Sequence, residues 1–388
     1  MTGAAGERVV IAGGGVAAHG AVTGLRDAGF RGEVVVVGRE PHPPYERPHL
    51  SKRYLLEEVP RQGLFLPDLE ADLRLGEEVV ELEPDRHTVR LAGGERLEYG
   101  RLLLATGARP RPLPGREDLA TLRELGHADR LRERLDAGAP LELVGAGFIG
   151  CEVAAAARLR NVPVTVHEAL DQPLLRVLGP ELGAWLGGVH RERGVDLRTG
   201  VRELPPLGPD VLVGIGTEPN VELAAAAGIR CERGIAVDEL GRTDAPDVYA
   251  AGDCARFWSP LFEAAVRVEH YQTAHRHGAA TGRAMAGDER PFREAPWFWS
   301  DQYDLNLQYV GAGMPWDQSL VRGRFGEPPF TVLFLGGGRL SAALGVNDGR
   351  TISQLRRLLE ARVEVAPDRL IDPATDLRRL LRPPTARA

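Results

Sequence analysis

Residues 141–150 read Leu141-Glu142-Leu143-Val144-Gly145-Ala146-Gly147-Phe148-Ile149-Gly150. Its first four residues form an apolar run typical of a buried parallel strand. The three glycines that follow have the spacing of a dinucleotide-binding turn, which opens a helix that we expect to continue to about Arg160. A second strand is predicted over residues 162–167. The whole stretch therefore predicts a strand–turn–helix–strand unit that binds a dinucleotide.

The same arrangement occurs near the start of the chain. A strand is predicted over residues 8–12, a helix follows to about Gly29, and a second strand covers 34–37. Gly13, Gly15 and Ala18 occupy the fingerprint positions of the turn between the first strand and the helix. A turn of this kind leaves backbone N–H groups and the positive helix end free to meet a pyrophosphate. Two copies predict an α/β fold with two Rossmann-like domains, and the β-like segments after about Pro296 predict a C-terminal α+β domain.

Composition narrows the class of protein. The 388 residues include 55 Asp and Glu against 48 Lys and Arg, a net charge of −7, which argues against nucleic acid as the main partner. No apolar run approaches the ~20 residues of a membrane-spanning helix, so we expect no membrane partner. Three isolated cysteines form no CxxC pair, and the N-terminus does not read as a signal peptide, which favours the cytoplasm. Of the basic residues only Lys52 is a lysine, and 47 are arginine.

Two acidic residues have positions that indicate cofactor contacts. Glu168 ends the strand after the second glycine turn, where a carboxylate hydrogen-bonds a ribose 2′-hydroxyl and repels a 2′-phosphate. It therefore favours NADH over NADPH. Asp253 follows Gly252 at the end of a short predicted strand, in the run Thr243-Asp244-Ala245-Pro246-Asp247-Val248-Tyr249-Ala250-Ala251-Gly252-Asp253. That run resembles the second flavin signature of flavoproteins with two dinucleotide-binding domains, in which the acid bonds the ribityl chain.

Three further segments carry a family resemblance: Pro44-Tyr45-Glu46-Arg47-Pro48-His49-Leu50-Ser51-Lys52, Leu104-Ala105-Thr106-Gly107-Ala108-Arg109-Pro110 and Pro296-Trp297-Phe298-Trp299-Ser300-Asp301-Gln302. With the motifs above, the chain resembles the FAD-containing NADH:ferredoxin reductases of bacterial oxygenase and P450 systems over nearly its whole length. The resemblance implies FAD in the first domain, NADH in the second, and a [2Fe–2S] ferredoxin that receives the electrons. It further implies a discontinuous FAD-binding domain (1–108 and 236–295), a shortened NAD-binding domain (109–235) and a C-terminal domain (296–388), in a monomer or homodimer.

The motifs and the resemblance together give the expected site residues. The cofactor-binding set is Gly13, Gly15, Val16, Ala17, Arg39, Glu40, Arg47, Lys52, Val79, Ala105, Thr106, Gly107, Arg123, Gly145, Gly147, Phe148, Ile149, Gly150, Glu168, Gly216, Gly252, Asp253, Tyr271 and Trp297. The catalytic set is Lys52, Glu152 and Trp299. No metal site is expected.

A physical reason also favours a position for Lys52 beside the flavin. A reduced flavin carries negative charge. A fixed ammonium beside it therefore tunes the reduction potential of the flavin. Glu152 lies two residues past the second glycine turn, and we expect it to form an ion pair with Lys52 across a domain interface, beside the flavin.

The chain departs from the family pattern at three places. Gln172 stands where relatives often carry an arginine after the NAD acid, so we expect a weaker contact with the adenosine ribose or phosphates. Arg39 stands where an acid is frequent after the second strand, so we expect Glu40 or backbone contacts to hold the FAD adenosine. Residues 200–210 are too few for the β-hairpin that relatives have there, which is why the NAD-binding domain is predicted to be shortened. We expect His270, His275 and His277 to lie on a solvated helix face, since hydride transfer to flavin needs no histidine.

Two other functions fit the same motifs. One is a flavin oxidoreductase that acts directly on a small molecule through a modified NAD site. The other is a redox-sensing flavoprotein of the apoptosis-inducing-factor type, which changes partners when it is reduced.

Overall fold

The computed structural model describes residues 8–381, so the outer ends of the predicted first and third domains, 1–7 and 382–388, lie outside the described residues. These residues form two compact units. The first comprises residues 8–46, 65–109 and 218–296, and the second comprises residues 47–64, 110–217 and 297–381. The division into three domains remains a prediction.

The strands of the described residues are numbered in chain order: β1 Arg8–Ala12, β2 Glu33–Gly38, β3 Asp72–Leu75, β4 Val79–Glu83, β5 Thr88–Leu91, β6 Arg96–Glu98, β7 Arg101–Leu104, β8 Ala108–Pro110, β9 Ala120–Thr121, β10 Leu141–Val144, β11 Val164–His167, β12 Val195–Arg198, β13 Leu212–Val213, β14 Thr217–Pro219, β15 Ile235–Val237, β16 Val248–Ala250, β17 Ala255–Ser259, β18 Ala264–Val266, β19 Trp297–Gln302, β20 Leu305–Val310, β21 Gln318–Arg322, β22 Phe330–Gly336 and β23 Arg339–Val346. The α-helices are α1 Val16–Asp27, α2 Leu125–Asp136, α3 Phe148–Leu159, α4 Leu175–Glu192, α5 Glu222–Ala226, α6 Tyr271–Met285, α7 Gly349–Glu360 and α8 Pro367–Ile371.

The first unit is built on a parallel sheet in the order β16-β7-β1-β2-β3. Its central strand β1 is buried on both faces, with Val9, Val10 and Ile11 fully inaccessible to solvent, as a continuous apolar run requires. The unit also contains two three-stranded sheets, β4-β5-β6 and β15-β17-β18, and most of the two-stranded sheet of β8 and β14. The predicted strand–turn–helix–strand order is confirmed in β1, α1 and β2.

The second unit contains a second parallel sheet, in the order β12-β11-β10-β13-β9. It also contains an antiparallel sheet in the order β19-β20-β23-β22-β21, against which α7 packs. The chain runs from β12 to β13 through residues 199–211, all of them described, without another helix or strand. The expected α/β class, with two Rossmann-like sheets and a C-terminal α+β part, is confirmed.

Helices α1 and α6 of the first unit approach each other unusually closely. A Cβ atom added at Gly20 of α1 would lie 2.1 Å from the carbonyl oxygen of His275. A Cβ atom added at Gly278 of α6 would lie 2.1 Å from the carbonyl oxygen of Ala17. Each helix therefore presents a glycine to the backbone of the other, and any side chain there would force the helices apart.

The assignment of all three histidines to a solvated helix face is wrong. His277 is only 1% exposed, and its ring packs on Phe257 and Phe292, with centroid distances of 4.5 and 5.3 Å. Burial lowers the pKa of His277 to about 4, so the ring is neutral. Burial also lowers the pKa of His270, to about 4, and that of the partly buried His275. The sequence placed these residues on a helix, but it gave no sign that this helix has its backbone against α1.

Substitution of Gly20 by alanine tests the close helix contact. We expect Gly20→Ala to lower the free energy of unfolding by ~1–3 kcal/mol, the usual cost of overpacking a core. The matched control is Gly188→Ala in α4, where an added Cβ meets no atom within 4 Å. The control should gain up to ~1 kcal/mol from the better helix propensity of alanine. Urea unfolding followed by circular dichroism compares the two, and equal midpoints would contradict the contact.

Candidate nucleotide-binding site

The first glycine turn lies at the carboxyl end of β1. Gly13 has φ +125°, and a Cβ atom there would come within 2.1 Å of the carbonyl oxygen of Ala105. Gly15 is the N-cap of α1, has no side-chain cap, and would leave an added Cβ with no atom within 4 Å. The first amides of α1 are therefore not covered by a capping side chain, and a phosphate fits this arrangement.

The second glycine turn repeats the arrangement at the carboxyl end of β10. Gly145 has φ +103°, and an added Cβ would lie 2.4 Å from the carbonyl oxygen of Gly214. Gly147 is the N-cap of α3, again without a side-chain cap. An added Cβ at Gly150 would lie 2.1 Å from the carbonyl oxygen of Gly145, so close backbone approaches require glycine at both Gly145 and Gly150. A Cβ at Gly147 would meet no atom closer than 3.8 Å.

Glu168 follows β11 and lies beside the second turn. Its Oε2 accepts a hydrogen bond from the backbone N–H of Ala146 at 2.6 Å, and its Oε1 accepts one from Leu170 at 2.8 Å. Both carboxylate oxygens are thus oriented by the backbone. Since each oxygen has a second lone pair, the carboxylate can still accept a hydrogen bond from a ribose hydroxyl.

The predicted flavin signature reaches the same edge of the first sheet as the first turn. Strand β16 runs parallel to β7, and the N–H of Ala251 donates to the carbonyl oxygen of Leu104 at 3.1 Å. Gly252 has φ +81°, and an added Cβ would lie 2.8 Å from the Cβ of Ala17 in α1. Asp253 therefore follows a turn packed directly on the start of the helix that we expect to hold a pyrophosphate.

Residues Thr106 and Gly107, which follow β7, are fixed by Asn220. The Thr106 hydroxyl donates to the Asn220 carbonyl oxygen at 2.7 Å, and the Asn220 side-chain amide donates to the Thr106 carbonyl oxygen at 2.8 Å. Gly107 has φ +68° and accepts a hydrogen bond from the Asn220 N–H at 3.0 Å. The sequence singled out the first two residues but missed Asn220, which belongs to no recognised motif.

Lys52 and Glu152 form a buried ion pair in the second unit. The distance from Lys52 Nζ to Glu152 Oε2 is 2.8 Å, and the side chains are only 6% and 4% exposed. Lys52 Nζ also donates to the carbonyl oxygen of Pro48 at 3.1 Å. The predicted pairing is confirmed, and both residues lie in the second compact unit. Their position at a domain interface beside the flavin stays a prediction. The adjacent hydroxyl of Ser51 also donates to Glu152 Oε2.

The expected site residues, including those described above, are divided between the two units. The first unit contains Gly13, Gly15, Val16, Ala17, Arg39, Glu40, Val79, Ala105, Thr106, Gly107, Gly252, Asp253 and Tyr271. The second contains Arg47, Lys52, Arg123, Gly145, Gly147, Phe148, Ile149, Gly150, Glu152, Glu168, Gly216, Trp297 and Trp299.

Several of these residues contact one another within a unit. Arg47 donates to the carbonyl oxygen of Arg123 at 2.8 Å, and the rings of Trp297 and Trp299 stack with centroids 5.6 Å apart. In the first unit, Glu40 accepts a hydrogen bond from the Tyr45 hydroxyl at 2.6 Å.

Tyr271 begins α6 in the first unit, and its hydroxyl donates to Glu46 at 3.4 Å. Burial, together with the nearby Glu46 carboxylate, raises the pKa of Tyr271, so this phenol remains a donor.

Comparison with known proteins identifies the family. The chain belongs to the pyridine nucleotide-disulphide oxidoreductases, whose sequence model matches residues 7–203 and 209–278. A reductase C-terminal domain matches residues 297–381. FAD and NADH are the cofactors, and the uncapped helix starts and glycine turns described above fit their phosphates.

Among the described residues, no helix is both long enough and apolar enough to cross a bilayer.

Individual relatives match nearly the whole chain. It is 36% identical to putidaredoxin reductase of Pseudomonas putida, with 97% of each chain covered. It is 38% identical to the ferredoxin–NAD(+) reductase component of the anthranilate 1,2-dioxygenase system of Burkholderia cepacia, covering 96% of this chain and 98% of that one. The covalent putidaredoxin reductase–putidaredoxin complex superposes with a TM-score of 0.92 at 35% identity, over 97% of this chain and 99% of that one.

The buried ion pair makes a prediction about stability. Removing one partner leaves an uncompensated charge, so we expect Lys52→Met or Glu152→Leu to lower the free energy of unfolding by ~3–5 kcal/mol. The double variant should recover part of this loss, because no buried charge then remains. The control is Arg53→Met, which removes a pair with Glu58 whose side chains are 49% and 53% exposed. It should change stability by less than ~1 kcal/mol. Losses in Lys52→Met no larger than in the control would show that the pair is not buried in solution.

Proposed function

We propose that this protein is an FAD-dependent NADH:ferredoxin reductase, which passes electrons from NADH to a [2Fe–2S] ferredoxin of a P450 or dioxygenase system. The observation that carries the proposal is the pair of glycine turns, each at the carboxyl edge of its own parallel sheet and each opening a helix without a side-chain cap. The named relatives, matched along nearly their full length, include the reductase component of a dioxygenase system.

In this proposal the first unit binds FAD. The amides of Gly15 and the first turn of α1 hold the pyrophosphate, and Asp253 accepts hydrogen bonds from the ribityl hydroxyls. Val79 lies in β4, where it pairs with Leu91, and offers its backbone to the adenosine end. Because Arg39 stands where an acid is frequent, Glu40, anchored by Tyr45, replaces it beside the adenosine ribose.

The second unit binds NADH through the turn that opens α3 and through Glu168. The carboxylate accepts hydrogen bonds from the ribose hydroxyls, and its charge repels the additional phosphate of NADPH. Bound FAD supplies the chemistry that joins a two-electron donor to a one-electron acceptor. Lys52 places one fixed positive charge beside the flavin, Glu152 balances that charge, and Trp299 lines the nicotinamide site. No acid–base triad is required, since the residues bind and orient the cofactors.

We place the protein in the cytoplasm, where its three free cysteines would stay reduced. Its ferredoxin partner is expected to act there as a diffusible carrier, with the reductase present as a monomer or homodimer.

Anaerobic mixing tests the proposal. The full-length, FAD-loaded protein is mixed with NADH or NADPH while the visible flavin absorbance is followed, and an oxidised [2Fe–2S] ferredoxin is then added. We expect rapid bleaching by NADH and recovery of the oxidised spectrum on adding ferredoxin. A small molecule that restores the oxidised spectrum where ferredoxin does not would favour the oxidoreductase alternative. A long-lived charge-transfer band that ferredoxin does not discharge would favour the redox sensor.

Cofactor preference gives a sharper prediction for one residue. We expect Glu168→Ser to lower kcat/KM for NADH by ~10–100-fold, the loss of a hydrogen bond to a charged acceptor, with a smaller loss or a gain for NADPH. The matched control is Asp196→Asn on the neighbouring strand β12, where the carboxylate pairs with the exposed Arg198. The control should leave both values unchanged. An unchanged ratio of the two kcat/KM values in Glu168→Ser would remove this residue from the ribose site.

A further inference from the structure

Glu152 is held by a larger set of buried side chains than its ion pair with Lys52. Its Oε1 accepts a hydrogen bond from the Ser300 hydroxyl at 2.6 Å, on the side opposite the bonds from Lys52 and Ser51. Ser300 is completely buried. The carboxylate thus receives three side-chain donors, all from the second unit.

The hydrogen bonds continue from Ser300 to α4. The Gln302 side-chain amide donates to Ser300 Oγ at 3.1 Å, and Gln302 Oε1 lies 3.0 Å from His190 Nε2. His190 Nδ1 lies 2.9 Å from the hydroxyl of Tyr303. Gln302 and His190 are 0% and 2% exposed. A continuous chain therefore runs from Tyr303 through His190, Gln302 and Ser300 to Glu152.

The direction of every hydrogen bond in this chain is determined. Burial lowers the pKa of His190 to about 4, so the ring is neutral and carries one N–H. Gln302 Oε1 can only accept, so that hydrogen is on Nε2, and the bare Nδ1 must accept from Tyr303. Burial raises the pKa of Tyr303, which keeps its phenol protonated. Every donor therefore points toward Glu152.

The surroundings explain why orientation requires such a chain. Lys52, Glu152 and Tyr303 all line one cavity of about 300 Å³ in the second unit. A side chain that borders a cavity has fewer packing contacts on that side. Hydrogen bonds therefore contribute to holding the Glu152 carboxylate, and the carboxylate in turn holds the Lys52 ammonium.

We propose that Tyr303, His190, Gln302 and Ser300 form an oriented hydrogen-bond chain that positions the Glu152 carboxylate and, through it, the Lys52 ammonium. They are positioning residues, since each acts on Lys52 only through Glu152. Tyr303 completes this polarity, because its hydroxyl donates to the bare Nδ1 of His190, and without that donor the ring can take the other tautomer. The consequence for turnover rests on the function proposed above; the arrangement of the chain does not.

The unique lysine provides a direct readout. Growth on ¹⁵N-lysine labels one side-chain ammonium in the whole sequence, that of Lys52, so its signal needs no assignment. We expect the FAD-loaded wild type to give one slowly exchanging ammonium resonance. Tyr303→Phe and Gln302→Leu should shift this resonance and speed its hydrogen exchange, in the same direction as Ser300→Ala. Ser300→Thr, which keeps the hydroxyl, should restore the wild-type signal.

Thr331→Val is the matched control. Thr331 is fully buried in the same unit, and its hydroxyl bonds Asp348 rather than any member of the chain. The control removes a buried hydroxyl at a similar cost in stability and should leave the Lys52 resonance unchanged. If Tyr303→Phe and Gln302→Leu are folded and their resonance matches the control, the proposal is overturned.

Kinetics supply the second readout. We expect Tyr303→Phe to lower the rate constant of flavin reduction by NADH by ~3–10-fold, the range for one neutral hydrogen bond, while the Kd of NADH is unchanged. An unchanged rate constant would show that the chain does not act on turnover. If NADH fails to reduce the wild type, the proposed function is wrong. The Lys52 resonance then still decides whether the hydrogen-bond chain is present.

Discussion

Both nucleotide sites depend on a close approach of backbone to backbone that only glycine permits. At Gly13 the turn after β1 lies so near the carbonyl oxygen of Ala105, just after β7, that a Cβ would overlap it. At Gly145 the turn after β10 lies similarly near the carbonyl oxygen of Gly214, just after β13. This contact brings the start of α1 or α3 against the carboxyl edge of its sheet and keeps the helix amides uncovered. Glu168 lies at the same edge as the second turn, where its carboxylate accepts a hydrogen bond from the backbone N–H of Ala146.

The sequence predicted most of this arrangement for identifiable reasons. The glycine spacing and the apolar strands are local signals, and both copies have the strands and helices expected. The pairing of Lys52 with Glu152 was predicted as well, since a solitary lysine among arginines and an acid beside a glycine turn were both conspicuous. The proposed chain beyond Glu152 was not predicted. Ser300 and Gln302 lie in the segment whose tryptophans indicate the family. His190 has no local signal, because its partners Gln302 and Tyr303 are distant in the sequence and meet it only in the folded unit.

For the histidines, the sequence led to a prediction that the structure shows to be wrong. His275 and His277 lie in α6 and His270 is its N-cap residue, and an exposed face was expected because the chemistry needs no histidine. The structure buries His277, whose imidazole is enclosed by the aromatic rings of Phe257 and Phe292. Both rings come from segments outside α6, so the neutral state of this imidazole depends on tertiary packing.

In the function proposed above, the protein couples a two-electron donor to a one-electron iron–sulfur carrier. The most direct test is the stoichiometry of that coupling, measured anaerobically with the FAD-loaded protein and a [2Fe–2S] ferredoxin as the only acceptor. We expect each NADH oxidised to reduce two ferredoxins, and once the ferredoxin is exhausted only the one equivalent of NADH that reduces the bound FAD should be consumed. Oxidation of NADH without reduction of ferredoxin, in the presence of an intact ferredoxin, would contradict it.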